Sequence, residues 1–218
     1  ALFLLLTFKL RKAPPMSQYL PILSSLILAL SFLPLVSKIR KNRSVSGLSL
    51  LMMSFGVAQS SYFIAYNVFF ERFYMLLPFC VTGLLSSVIL YYFMRYNASV
   101  LQRKQLVMMQ IFALLPFSLL LIDGVSTAQL LIGLTYVGLV MSSIRVIPQT
   151  FKTIKSGDVA NQSSRYFSLQ FIAGASGLLA ELSMAAPSVS HILTFVMILL
   201  TNAAQIICIS YYRSRPAL

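Results

Sequence analysis

Seven apolar runs, each closed by charge or by proline, fill most of the sequence. They cover about 17–36, 48–69, 73–94, 105–122, 126–147, 166–186 and 191–211, with ends that pattern alone places to within a few residues. Each is close to the roughly 20 residues that carry an α-helix across a hydrocarbon core. The closing residues are Lys38 to Lys41, Glu71-Arg72, Arg95, Asp123-Gly124, Pro148-Gln149, Pro187 and Arg213. The expectation is an all-α polytopic membrane protein of seven spans, with no room for a separate soluble domain.

The polar breaks differ in charge. One face would carry the first, third and fifth loops and the C-terminus. It gathers Lys38, Arg40, Lys41, Arg43, Arg95, Arg103, Lys104, Arg145, Lys152, Lys155, Arg165, Arg213 and Arg215, leaving Lys9, Arg11, Lys12 and Arg72 for the other. Cytosolic loops hold an excess of Lys and Arg. The basic face is therefore expected to be cytosolic, or stromal or matrix in an organelle, with the N-terminus lumenal.

The pattern also repeats. A shift of 114 residues lays Pro34 on Pro148, Lys38 on Lys152, Lys41 on Lys155, Val45 on Val159 and Ser49 on Ser163. Fixed-offset self-similarity signals a duplicated unit. Spans 1–3 and 5–7 form two three-helix copies, and span 4 restores their parallel orientation. The expected organisation is an N-terminal segment 1–16, a first repeat 17–96, a linker helix 97–125, a second repeat 126–212 and a basic tail 213–218. Proline lacks an N–H and crowds the preceding turn. Pro34 and Pro148 are thus either paired hinges or helix ends at the interface.

Composition sharpens this picture. Of 218 residues, 58% are hydrophobic and only 10% charged, well below the roughly 25% of soluble domains. A net charge of +13 would point to nucleic acid in a soluble protein, but here the cations sit at the ends of apolar runs, so none is expected. Cys80 and Cys208 fall inside apolar runs without metal or disulfide spacing. One histidine, four acidic residues and no phosphate-binding or dinucleotide motif argue against an enzyme, a cofactor or a metal. The opening ALFLLLTFKLRK is too short to span and reads as a targeting remnant or an interfacial strip.

The segment Val146-Ile147-Pro148-Gln149-Thr150-Phe151-Lys152-Thr153-Ile154-Lys155-Ser156-Gly157 resembles the second signature of the PQ-loop family, which shares its 3+1+3 plan with the SWEET sugar transporters. The first copy reads Pro34-Leu35, without the glutamine. Gly47-Leu48-Ser49-Leu50 and Gly174-Ala175-Ser176-Gly177 resemble the mannose-P-dolichol utilization defect branch. The resemblance covers roughly 20–212. It implies an organelle membrane, endoplasmic reticulum or lysosome, while the acid-poor start is also compatible with plastid or mitochondrion. It implies alternating access by two rocking repeats. The sequence departs from the SWEET pattern where sugar-binding asparagines belong, holding apolar residues near Phe79 and Phe195 there, and it contains no tryptophan.

Polar residues within the spans are the candidate site. Glu181 is a carboxylate inside span 6, and the 114-residue shift sets Asn67 opposite it; intramembrane charges tend to face an interior or a pathway. Asn202 and Gln205 lie in span 7, either lining a path or bonding helix to helix. Asn67, Glu181, Asn202 and Gln205 are the candidate substrate-binding residues, with Pro34, Pro148 and Gln149 at the hinge signature. Two functions stand: a transporter of a small solute (a sugar, amino acid or organic acid), or a non-transporting subunit of a membrane complex or factor for lipid-linked sugar use. The lipid bilayer is a partner in either.

Overall fold

The computed structural model describes residues 16–71, 76–96, 100–119, 125–183 and 189–214. The N-terminal segment before Met16, Asp123, Arg72, Pro187 and the last residues of the basic tail lie outside them. Among the described residues there are nine helices: α1 Met16–Leu30, α2 Phe32–Asn42, α3 Leu50–Phe69, α4 Leu76–Tyr96, α5 Val100–Leu119, α6 Val125–Ile144, α7 Ile147–Ser156, α8 Ser164–Leu182 and α9 Val189–Arg213. α1 and α2 form one broken rod, as do α6 and α7, so the nine make seven rods.

Both breaks have one cause. A proline leaves the carbonyl four residues earlier without its helical donor, and the ring pushes that carbonyl away. Pro34 displaces the chain at Ser31, and Pro148 at Arg145-Val146. Both helices resume and run on to Asn42 and Ser156. The prolines therefore kink rods rather than end them. This corrects the fifth span, which continues past Pro148 to Ser156.

The rods form a closed ring. α4 sits between the first rod and α3; α3 packs on α6 and touches α7; α9 lies between the α6/α7 rod and α8; and α8 closes on α1. Each three-helix repeat thus places its third helix in the middle and meets the other along two seams, α1 with α8 and α3 with α6. The linker α5 lies outside the ring against α3 and α6.

Four rods, 22–42, 76–96, 129–156 and 191–213, are apolar and long enough to cross a membrane by themselves. α3 and α8 hold their polar residues inward instead, burying Gln59, Ser60, Ser61 and Asn67, and Gln170 and Glu181. The outer surface is apolar: Leu77, Leu84, Met108, Ile111, Leu179, Val189 and Ile207 are all largely exposed. A belt of this kind is covered by lipid. The main apolar core lies where the repeats meet, built from Phe32, Leu35, Ile39, Val45, Leu48, Met52 and Met53 with Val146, Tyr166, Phe167 and Ile209.

Candidate functional site

The proline, first lysine, valine and serine of the duplicated motif each have a structural counterpart in both copies. After each kink the helix ends in a left-handed residue, Arg43 (φ 48°) and Gly157 (φ 65°), which lie 114 apart. A turn follows in each copy, with Leu48 N–H on the Val45 carbonyl at 3.1 Å and Gln162 N–H on that of Val159 at 3.2 Å. Ser49 then caps α3 by accepting from Met52 N–H, and Ser163 caps α8 by accepting from Tyr166 N–H. A serine hydroxyl satisfies one of the donors that a helix start leaves open.

The lysines of the motif cross between repeats. Lys38 Nζ donates to the Gln162 carbonyl at 2.6 Å, and Lys152 Nζ donates to the Leu48 carbonyl at 2.5 Å. Leu48 and Gln162 are themselves 114 apart. The two bonds are copies of one bond, each lysine holding the loop of the other repeat.

Around them lies a latch at the basic face. Gln149 accepts from Ser49 N–H and donates to the Gly47 carbonyl, both at 2.7 Å. Gln162 donates to the Gly47 carbonyl at 3.1 Å and to Thr153 Oγ1 at 2.8 Å. Gln205 donates to Gln162 Oε1 at 2.5 Å and to Thr153 Oγ1 at 3.0 Å. The three glutamines are wholly buried. Nearer the surface, Asn42 donates to Asn161 Oδ1 at 2.8 Å and Ser46 Oγ to Asp158 Oδ2 at 2.5 Å. Gly47 holds φ +74°, and a Cβ there would stand 2.7 Å from the Asp158 carbonyl oxygen, so the latch needs its glycine. The equivalents of Gln149 and Gln162 in the first repeat are Leu35 and Leu48, also fully buried. At these two buried positions the first repeat is apolar and the second polar, and there the polar one reaches across.

Deeper, at the break before Pro148, lies Arg145. Its expected place was a basic loop; it is 1% exposed, packed with its guanidinium 5.7 Å from the Phe32 ring centre. The charge asymmetry between the faces survives its removal. Arg145 donates to Gln170 Oε1, and Gln170 in turn donates to Ser31 Oγ and, at 3.2 Å, to the Leu28 carbonyl. Ser31 and Arg145 are also 114 apart, so Gln170 ties the two kinks together.

No protein-family model matches the sequence, and no curated protein does. Among solved structures, a 3.7 Å structure of a eukaryotic SWEET transporter matches at TM-score 0.60, over 91% of this chain and 96% of that one, with 17% identity. The fold is SWEET-like.

Within this SWEET-like ring the candidate residues are spread along the axis rather than gathered. Gln205 and Gln149 belong to the latch. Asn202, 1% exposed, donates to the Ile198 carbonyl of its own helix at 2.7 Å, and its Oδ1 has no partner among the described residues. Asn67 donates to the Phe63 carbonyl at 2.7 Å, again within its helix. Glu181 lies towards the opposite end, its Oε2 3.3 Å from His191 Nδ1 at the start of α9. The two phenylalanines are packed: Phe79 stacks on Phe63 with ring centres 4.7 Å apart, and the Phe195 ring covers Gly177, where a Cβ would be 2.3 Å away. Arg145, Gln162 and Gln170 were not among the predicted site residues. A loop glutamine and an arginine beside a span end carry no signal of burial, and Gln170 lies within the sixth apolar run.

Proposed function

We propose that this protein is a transporter-like integral membrane protein that moves a small solute by rocking its two three-helix repeats. The observation that carries this reading is the reciprocal latch, in which Lys38 and Lys152 exchange equivalent bonds between repeats at one face. Individual hydrogen bonds of this sort contribute only about 0.5–1.5 kcal/mol net, up to about 3 when charged. A latch built from them can therefore open as a unit. Pro34 and Pro148 supply matched hinges beside it, and the described conformation is closed at the basic face. That face is the cytosolic, stromal or matrix side, and the membrane is that of an intracellular organelle, with a PQ-loop-type hinge signature at Pro148-Gln149.

Reconstitution into liposomes tests this. Equilibrating uptake of one of a panel of sugars, amino acids and organic acids is expected, with altered rate in latch variants. Absence of flux for every solute, from protein shown to be folded, would refute it.

A second reading, an accessory subunit that keeps the fold as a scaffold, is favoured by the packing of Phe79 on Phe63 and of Phe195 on Gly177. Gentle extraction and native mass determination separate the two. A mass near 24.3 kDa or a small homo-oligomer supports transport, and a large hetero-complex supports the scaffold.

A further inference from the structure

Arg145 is a buried guanidinium in a spanning rod with no acidic partner among the described residues. The chain has four acids. Asp158 is engaged by Ser46 Oγ and by the Ala160 N–H, Glu181 lies beside His191, Glu71 is exposed at the end of α3, and Asp123 falls outside the described residues. A buried cation is normally balanced by an anion, since an uncompensated charge is costly in a medium of low polarity. Arg145 instead meets the neutral Gln170 through Nη2 and an aromatic face, while its Nη1 is buried without an acceptor among the described residues. A second donor in the same aromatic cluster is in the same condition. Tyr166 packs edge-on against Phe32 with ring centres 5.1 Å apart, and its buried hydroxyl has no partner among the described residues. Two buried donors, one charged, thus stand against the one Phe32 ring without acceptors among the described residues.

We infer that Arg145 and Tyr166 bind the carboxylate of a small monoanionic solute between the two kinks, the Phe32 ring forming one wall. This rests on the transporter reading and narrows its solute class. The fork of a guanidinium matches a carboxylate in plane and charge. One positive charge neutralises a monoanion, whereas a phosphate dianion would leave the site negative. The bound solute would also stand where Gln170 joins Ser31 to Arg145, the point at which both kinks are coupled.

The test is ligand-dependent stabilisation of the purified full chain in detergent, since a ligand that binds only the folded state raises its unfolding temperature by mass action. The probes are sodium lactate, sodium phosphate, sodium chloride and glucose, at matched ionic strength. Lactate is expected to stabilise saturably and the other three not. Arg145→Gln is expected to weaken that response about tenfold or more, the loss of a charged hydrogen bond. Arg145→Lys is expected to retain part of it, and Tyr166→Phe to weaken it less than Arg145→Gln. Equal shifts with chloride, a larger shift with phosphate or glucose, or a lactate response untouched in Arg145→Gln would overturn the assignment. Should Arg145→Gln not fold, the wild-type ligand series and Tyr166→Phe decide it. Counterflow of labelled lactate in liposomes separates the two proposals. Binding without flux leaves the site and removes the transporter; flux of glucose alone, unchanged in Arg145→Lys, leaves the transporter and removes the site.

Discussion

Replacing Gln149 by leucine, the residue its own repeat partner carries at position 35, strikes the latch at its centre. The side chain makes two bonds to the other repeat, accepting from Ser49 N–H and donating to the Gly47 carbonyl, both at 2.7 Å. The Gly47 carbonyl keeps Gln162 as a donor at 3.1 Å, so the uncompensated loss falls on the Ser49 N–H. Leaving a buried donor without a partner costs about 1–3 kcal/mol. That cost applies to the closed arrangement and vanishes once the repeats part and water reaches Ser49. The closed-to-open ratio should therefore fall by about 5–150-fold. Lys41→Cys and Lys155→Cys provide the readout. Both lysines are exposed and equivalent in the two repeats, and Cys80 and Cys208 would first be replaced. Spin-label distances across the basic face should gain a longer population in Gln149→Leu. A distribution unchanged from wild type, in a protein whose unfolding temperature has nevertheless dropped, would refute the latch reasoning and leave Gln149 as fixed glue between helices.

Three further outcomes follow from the same geometry. Gly47→Ala should destabilise the chain by more than the roughly 1–2 kcal/mol of a left-handed non-glycine residue, because its Cβ also meets a backbone oxygen at 2.7 Å; thermal unfolding in detergent measures this. Lys38→Met and Lys152→Met should have similar effects, and in a double-mutant cycle the pair should lose less than the sum of the singles, since the two bonds hold the two seams of one closed arrangement and either break favours its opening. Additive losses would mean that the two bonds act independently. Glu181→Gln should leave lactate binding within about twofold, because it lies about 16 Å along α8 from Gln170; a larger loss would move the solute site towards His191.

Much of the latch could be read in advance as a pattern without a meaning. Pro34, Lys38, Val45 and Ser49 recur at Pro148, Lys152, Val159 and Ser163, and each pair proved to do one job twice: kink, cross-repeat bond, turn and cap. Arg145 was hidden for a specific reason. An arginine after Ser142-Ser143-Ile144 and before Pro148 looks like the end of a span, and its burial depends on Phe32 and Gln170, which arrive from other helices. Gln162 sits in a loop, where polarity normally means solvent. The core at the repeat interface makes it a buried bonding residue instead.

The order of apolar runs, their lengths and the 114-residue repeat determined the class of this protein from sequence alone: seven rods in two parallel repeats joined by a linker. Those features are local, set by the length of a membrane-crossing helix and by the covalent effect of proline. Which polar groups meet was decided only by tertiary structure. The sequence treats Gln149 and Leu35, or Arg145 and Ser31, as equivalent places. The closed ring sets Gln149 against Ser49 and Gly47 of the opposite repeat and Arg145 against Phe32 of the opposite repeat and Gln170 of its own, because a buried donor must find its acceptor on whichever helix the packing sets beside it.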